Sequence, residues 1–382
     1  MKLLIYAPLS LRFGGGTQHW IMELIPRLRK FNVSASIICT KSTMNEERIS
    51  FNKVLQSLKK AAACYFELPY QSFHLGVVYS PFPKFLGIKE ISSIMKDSDI
   101  TYFSNAFAFH DVLLRTLKAI NKKPVISGHH GMLFSGLSAH DFYVGTLGRV
   151  LLKGFDACHV LNVQDYNFLK RWGIKHVFLI PPGVDTTKFF PRDSSATNKK
   201  FRVLFVGRLT FQKGVDLLCD VIRNINRTSL KESVEFLVVG RGRLQPLVQN
   251  LSKQHQNVRY IGQINEEALP EIFRDSDIFI MPSRVETFGI VALEALASGL
   301  PVIASDITGP RDILFHDKIG TLVQRENVLG MVLALKRYYA LWSEHYDEYA
   351  EICQRARTKA TDTFEWDIIT ADVYKMLNYL SP

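Results

Sequence analysis

Glu286 and Glu294 stand eight positions apart in Glu286-Thr287-Phe288-Gly289-Ile290-Val291-Ala292-Leu293-Glu294, the stretch of the chain best suited to chemistry. The run before it, Asp277-Ile278-Phe279-Ile280-Met281-Pro282-Ser283, is apolar and closed by Pro and Ser, which predicts a buried parallel strand running into a loop. A helix is expected to follow. Gly289 has no side chain, so a ligand can lie close to the backbone there, and the free N–H groups of a first helical turn would face an anion such as a diphosphate. Carboxylates suit vicinal hydroxyls. An anion-binding helix start between two carboxylates would suit a ligand of the nucleotide-sugar kind; taken alone, two such glutamates read more simply as solvated carboxylates on a surface helix.

Cations stand upstream. Arg208 follows the strand-like Phe205-Val206-Gly207 and offers a planar fork of donors, and Lys213 offers a compact ammonium five positions later. Fixed positive charge of this kind stabilises a leaving diphosphate as its negative charge grows. The triplet Gly14-Gly15-Gly16 lies between a strand and a helix, where backbone N–H groups can approach a phosphate. His129 and His130 end another strand, with His140 nearby; the spacing provides no third ligand that would mark a zinc site, and no metal is expected.

These groups need elements to hold them. Apolar runs predict strands at 3–7, 35–39, 100–103, 124–127, 157–161 and 177–180, with a helical pattern through Trp20, Ile21, Leu24, Ile25 and Leu28. The pattern restarts with strands at 202–206, 235–239, 258–261, 278–281 and 302–304 and a helix at 215–224. Each half alternates strand and helix, so the fold class is α/β, with two Rossmann-like, doubly wound parallel sheets. Residues 1–183 form the first domain, 184–200 a proline-led polar hinge, and 201–363 the second domain. Ligands in such sheets sit beyond the carboxyl ends of the strands, which puts the site in a cleft between the domains.

At 382 residues, 47% apolar and 22% charged, the chain suits two folded domains without disorder. Its opening residues read as a strand rather than a signal peptide, and no apolar run is long enough to span a bilayer, so a cytoplasmic location is expected. Five cysteines, odd in number and widely spaced, are expected to be free buried thiols. The net charge of +11 is uneven: residues 1–200 carry 26 Lys and Arg against 13 Asp and Glu, and the remainder 21 against 23. A basic first half suits an anionic membrane surface, with Lys53, Lys59, Lys60, Lys118, Lys122 and Lys123 in helix-like stretches; simple solubility charge is the alternative. No nucleic-acid motif accompanies the charge, so no nucleic-acid partner is expected.

The segment Pro282-Ser283-Arg284-Val285-Glu286-Thr287-Phe288-Gly289, with Glu294-Ala295-Leu296-Ala297-Ser298-Gly299-Leu300-Pro301, resembles the retaining glycosyltransferases of family 4 (glycosyl transferases group 1). Phe205-Val206-Gly207-Arg208-Leu209, Gln212-Lys213-Gly214-Val215-Asp216 and Val238-Val239-Gly240-Arg241-Gly242 extend the resemblance, which is dense in the second half and thin in the first. It implies the GT-B architecture, with residues 364–382 crossing back to the first domain. It also implies transfer of a hexose or N-acetylhexosamine from a UDP- or GDP-linked sugar, with no cofactor and no metal, to a glycan or lipid-linked acceptor. Retention in the family is usually explained by front-side attack within a tight ion pair, assisted by the leaving phosphate.

The resemblance assigns catalysis to His130, Arg208, Lys213 and Glu286. Donor binding falls to Gly15, Gly16, Gly207, Arg208, Lys213, Gly240, Gly262, Ile264, Glu286, Phe288, Gly289, Ile290 and Glu294, with Glu294 on the ribose hydroxyls and Glu286 facing the sugar. Gln18 stands where relatives often carry an acidic residue, and Arg241 and Arg243 depart from the family's glycine turn. A nucleotide-sugar epimerase, a transferase to a small soluble acceptor and a non-catalytic polyanion-binding module are the rival readings.

Overall fold

The computed structural model describes residues 1–13, 15–42, 51–75, 78–105, 108–130, 146, 148–192, 200–315 and 318–381. Gly14 and His140 lie outside them, as does the side chain of Lys53. The chain divides into two compact units, Met1–Pro182 with Trp366–Pro382, and Gly183–Glu365.

The first unit is built on a seven-stranded sheet in the order β3-β2-β1-β6-β7-β8-β9. Its strands are β1 (Lys2–Ala7), β2 (Ser34–Thr40), β3 (Cys64–Leu68), β6 (Ile100–Asn105), β7 (Val125–His129), β8 (Ala157–Val160) and β9 (Val177–Leu179), and every pairing is parallel. β4 (Tyr70–Leu75) and β5 (Val78–Pro83) form a separate antiparallel hairpin. Side chains alternate across the pleat: Leu3 and Ile5 of β1 join one core, and Leu4 and Tyr6 the other. Helix Gly16–Leu28 buries Trp20, Ile21, Leu24, Ile25 and Leu28 on the first of these faces, the stripe its sequence predicts.

The closing helix, Trp366–Leu380, joins the same core through Trp366, Ile369, Val373, Met376 and Leu377. Lys30 Nζ meets Asp367 at 2.7 Å, and the Arg27 guanidinium lies 5.3 Å from the centre of the Trp366 ring system. The tail is thus a structural part of the first unit.

The second unit has a six-stranded parallel sheet in the order β12-β11-β10-β13-β14-β15. Its strands are β10 (Phe201–Val206), β11 (Val234–Val239), β12 (Val258–Gly262), β13 (Ile278–Met281), β14 (Val302–Ser305) and β15 (Gly320–Val323). β10 and β11 run in register from Phe201 opposite Val234 to Val206 opposite Val239, so their carboxyl ends finish level. Residues 183–192 belong to this unit: Val184 donates to Phe364 O at 2.8 Å, and Arg192 pairs with the fully buried Asp277. Arg357 donates to Phe189 O at 2.7 Å and to Ala297 O at 2.6 Å, fastening this segment to the end of helix Ile290–Ala297.

The two-sheet α/β class expected from the sequence is the one found. The thiols depart from expectation in two places: all five cysteines are free, but Cys64 on β3 is exposed, because this edge strand turns alternate residues to solvent, and Cys353 is only half-buried.

Candidate functional site

In the second unit three glycine turns meet beyond the carboxyl ends of β10, β11 and β12. Gly207 donates to Val239 O at 3.1 Å, Gly240 donates to Gly262 O at 2.8 Å, and the Tyr260 hydroxyl donates to Gly240 O at 3.0 Å. Leu209 N completes the cradle with a bond to Arg241 O at 2.8 Å. Ile264 follows as a half-buried residue just after β12. Arg208 stands exposed next to this cradle, its guanidinium making no hydrogen bond or ion pair among the described residues.

The loop after Arg208 turns tightly, with Lys213 N on Thr210 O at 3.2 Å and Gly214 N on Phe211 O at 3.0 Å. Gly214 caps helix Val215–Asn226 at φ +66°, and a Cβ there would sit 1.9 Å from Pro282 O, so only glycine lets this loop close on the loop leaving β13. That closure brings Lys213 to Glu286: Nζ and Oε2 form an ion pair across 73 residues of sequence, with the side chains 23% and 15% exposed.

Arg284 holds the two loops together. Its N–H donates to Gln212 O at 2.8 Å, and its guanidinium grips both carboxylate oxygens of Asp216 at 2.7 Å each, a bidentate fork. The same side chain reaches Glu326 Oε1 at 2.5 Å and lies 3.6 Å from the centre of the Phe211 ring. Burial works to raise the Asp216 pKa, but the hydrogen bonds and charge of Arg284 outweigh it and hold the carboxyl below its usual range.

Gly289 caps helix Ile290–Ala297 at φ +102°, and Ile290 opens the helix, as its sequence predicts. The first N–H groups of a helix have no partner within it. Glu294 is half-buried on the second turn. Phe288 is nearly fully buried and packs edge-on against Phe364, ring centres 5.9 Å apart, so its side chain anchors the loop while its backbone borders the helix start.

The first unit holds the other group of predicted residues. Gly15 is the N-cap of helix Gly16–Leu28 in an extended conformation, and His19 N donates to Gly15 O at 2.9 Å. His129 is buried and bonded to the Ser127 hydroxyl at 3.0 Å. His130 is half-exposed, but its ring is enclosed by Trp20, whose ring centre is 4.9 Å away, and by Tyr102 and His159.

Chemistry assigns the protons in this cluster. His159 Nε2 lies 2.8 Å from Ile180 O, which only accepts, so Nε2 carries hydrogen and Nδ1 accepts from the Tyr102 hydroxyl at 2.7 Å. The Tyr102 oxygen then accepts from His130 Nε2 at 3.1 Å, leaving His130 Nδ1 a bare acceptor. Burial, then the neighbouring His159 and His129, press the His130 pKa well below its ordinary value, so the ring is neutral at pH 7.

Hydrogen bonding thus joins Lys213 to Glu286 and links Gly207, Gly240 and Gly262 through their turns. Among the described residues no three His, Cys, Asp or Glu side chains gather as a metal site would require.

The family described as Glycosyl transferases group 1 matches residues 187–358, which span the glycine cradle, both loops and both glutamates. That matched stretch, most of the second unit, is a group 1 glycosyltransferase segment. An uncharacterized glycosyltransferase of Methanocaldococcus jannaschii is 31% identical to this chain over 233 residues, 58% of the chain and 57% of the relative. The chain spans about half the length of the curated relatives it matches. Sucrose-phosphate synthase from Thermosynechococcus elongatus shares its fold at a TM-score of 0.75 with 19% identity, covering 100% of this chain and 99% of that one. HepE of Anabaena, solved with UDP-glucose, aligns at 0.72 with 17% identity over 99% and 100% of the two chains. These likenesses establish the GT-B fold of the chain.

Sequence reasoning gave no role to Arg284, Asp216, Tyr102 or His159. Arg284 and Asp216 stood inside quoted motifs, and a charged residue beside a glycine turn was their only signal; Tyr102 and His159 lie on apolar strands and gave none.

Proposed function

We propose that this chain is a retaining, metal-independent glycosyltransferase that moves a hexose or N-acetylhexosamine from a UDP- or GDP-linked sugar to a glycan or lipid-linked acceptor. The observation that carries the reading is the Lys213–Glu286 pair, held by interlocked loops next to a helix start capped by Gly289. Lys213, the exposed Arg208 and the N–H groups of helix Ile290–Ala297 meet the diphosphate, offering fixed positive charge where negative charge grows as the anomeric bond breaks. The turns at Gly207, Gly240 and Gly262, with Ile264, shape the diphosphate and base pocket, and Gly15 and Gly16 offer backbone donors to a phosphate.

Glu294 takes ribose hydroxyls, and Glu286 takes hydroxyls of the transferred sugar. His130 accepts a sugar hydroxyl at Nδ1, the nitrogen left bare by the Tyr102 hydrogen bond. The UDP-glucose complex of the like-folded HepE supports a nucleotide-sugar donor.

The basic first half supports an acceptor at an anionic membrane surface. Lys59, Lys60 and Lys122 are exposed there, and Phe85 and Leu86 stand 69% and 75% exposed at the start of helix Phe85–Asp97. Lys118 does not belong with the free lysines: it pairs with Asp156 at 2.9 Å because the helix end lies against the turn before β8. Among the described residues no helix is long and apolar enough to cross a membrane.

A panel of nucleotide sugars in a thermal-shift assay, followed by product analysis of each binder, tests the reading. A donor at a hundred times its dissociation constant stabilises the protein by about 2.7 kcal/mol. Transfer with retention of anomeric configuration supports the reading; an epimerised free sugar nucleotide, or no stabilisation by any donor, refutes it.

A further inference from the structure

Lys213 is not a free cation waiting for phosphate. Its ammonium is already neutralised by Glu286, whereas Arg208, five residues earlier, has no partner among the described residues. The pairing is built in from both sides. The Lys213 loop is closed on itself through Thr210 and tied through Gln212 O to Arg284, which in turn is forked to Asp216 and lies two residues before Glu286. Neither partner of the pair can drift far from the other without breaking that lock.

We infer that Glu286 and the donor's diphosphate compete for Lys213, so that the sugar's hydroxyls, by engaging Glu286, release the ammonium to the phosphate. This rests on the donor-site reading above and goes beyond it. A nucleoside diphosphate without sugar meets a cation already paired, and gains it only by leaving the Glu286 carboxylate without a partner, which is costly at a half-buried site. A nucleotide sugar brings its own exchange: its hydroxyls donate to Glu286 while its diphosphate accepts from Lys213, and every charged group keeps a partner. Once the sugar has moved to the acceptor, its hydroxyls leave with it. Glu286 then returns to Lys213, and the spent nucleoside diphosphate loses a cation, which favours its release. The ion pair thereby distinguishes substrate from product, although both carry the same base and diphosphate.

Calorimetric titration of UDP, GDP, ADP and inorganic pyrophosphate into wild type, Glu286→Gln, Lys213→Ala and the double variant decides this, with melting curves confirming that each folds. Glutamine keeps the shape and the hydrogen-bonding oxygen but abandons the ion pair. Glu286→Gln is expected to bind the nucleoside diphosphate at least about fivefold tighter than wild type, equivalent to about 1 kcal/mol. Lys213→Ala is expected to bind more weakly than wild type, and the double variant to match Lys213→Ala, because with the ammonium gone there is nothing for the carboxylate to withhold.

Unchanged or weaker binding by Glu286→Gln overturns the inference. An equal gain in both backgrounds also overturns it, since that is through-space repulsion rather than competition for Lys213. If Lys213→Ala binds as wild type does, or if no probe binds any variant, it is the donor-site reading that fails.

Discussion

Arg284 and Asp216 are joined by two parallel bonds of 2.7 Å, and this fork fastens the loop that carries Glu286 to the start of the helix that follows Lys213. The guanidinium also holds Glu326 and the Phe211 carbonyl and covers the Phe211 ring. Planar, bidentate geometry is something lysine cannot reproduce.

Arg284→Ala is therefore expected to lower activity at least about tenfold, through misplacement of Lys213 and Glu286, while lowering stability by about 1–2 kcal/mol. Arg284→Lys should recover most of the stability and little of the activity. Melting curves and steady-state kinetics on both variants check this; full activity in Arg284→Ala would show that the loops hold their positions without the fork.

Acid should loosen the first unit. His159 and His110 are fully buried, and burial lowers their pKa values to about 4 and about 3, against opposing hydrogen bonds to Ile180 O and Pro81 O. In the unfolded chain both titrate near 6.5. Between pH 6.5 and 4 the unfolded chain therefore binds protons that the native rings refuse, so this stability is present at pH 7 and lost as pH falls through that window, with up to about 3 kcal/mol from each ring. The melting temperature should drop steadily from pH 7 to 4.5, less steeply in His110→Gln; a flat profile would mean that the rings take up protons in the native state.

Much of this fold could be read before the structure, and the exceptions share a cause. Strands such as Phe201–Val206 and Ile278–Met281 are apolar runs because a parallel sheet covered by helices buries both faces. Cys64–Leu68 escaped notice because an edge strand alternates half-exposed residues, and the β4–β5 hairpin because Pro81 and Pro83 argue against a strand. Gly320–Val323 is short and starts on glycine. In the site, motif spacing marked Lys213, Glu286 and the Gly289 cap individually. It did not reveal that Lys213 and Glu286 neutralise each other or that Arg284 locks them, because such contacts join residues 68 and 73 positions apart.

Transfer should survive a chelator. In the proposed site Arg208, Lys213 and the start of helix Ile290–Ala297 supply the positive charge that a divalent ion supplies elsewhere. Assays in excess EDTA are expected to retain activity within about twofold of untreated enzyme. Complete loss, restored by added magnesium, would contradict this.

The most direct measurement is the rate of sugar transfer by Glu286→Gln and Lys213→Ala, each shown to be folded by its melting curve and assayed with the donor identified by thermal shift. Each charge-assisted contact contributes about 1.5–3 kcal/mol, so each variant is expected to lose about tenfold to a hundredfold or more in kcat/KM. Activity within twofold of wild type in either variant would contradict the assignment of the Lys213–Glu286 pair as the centre of the donor site.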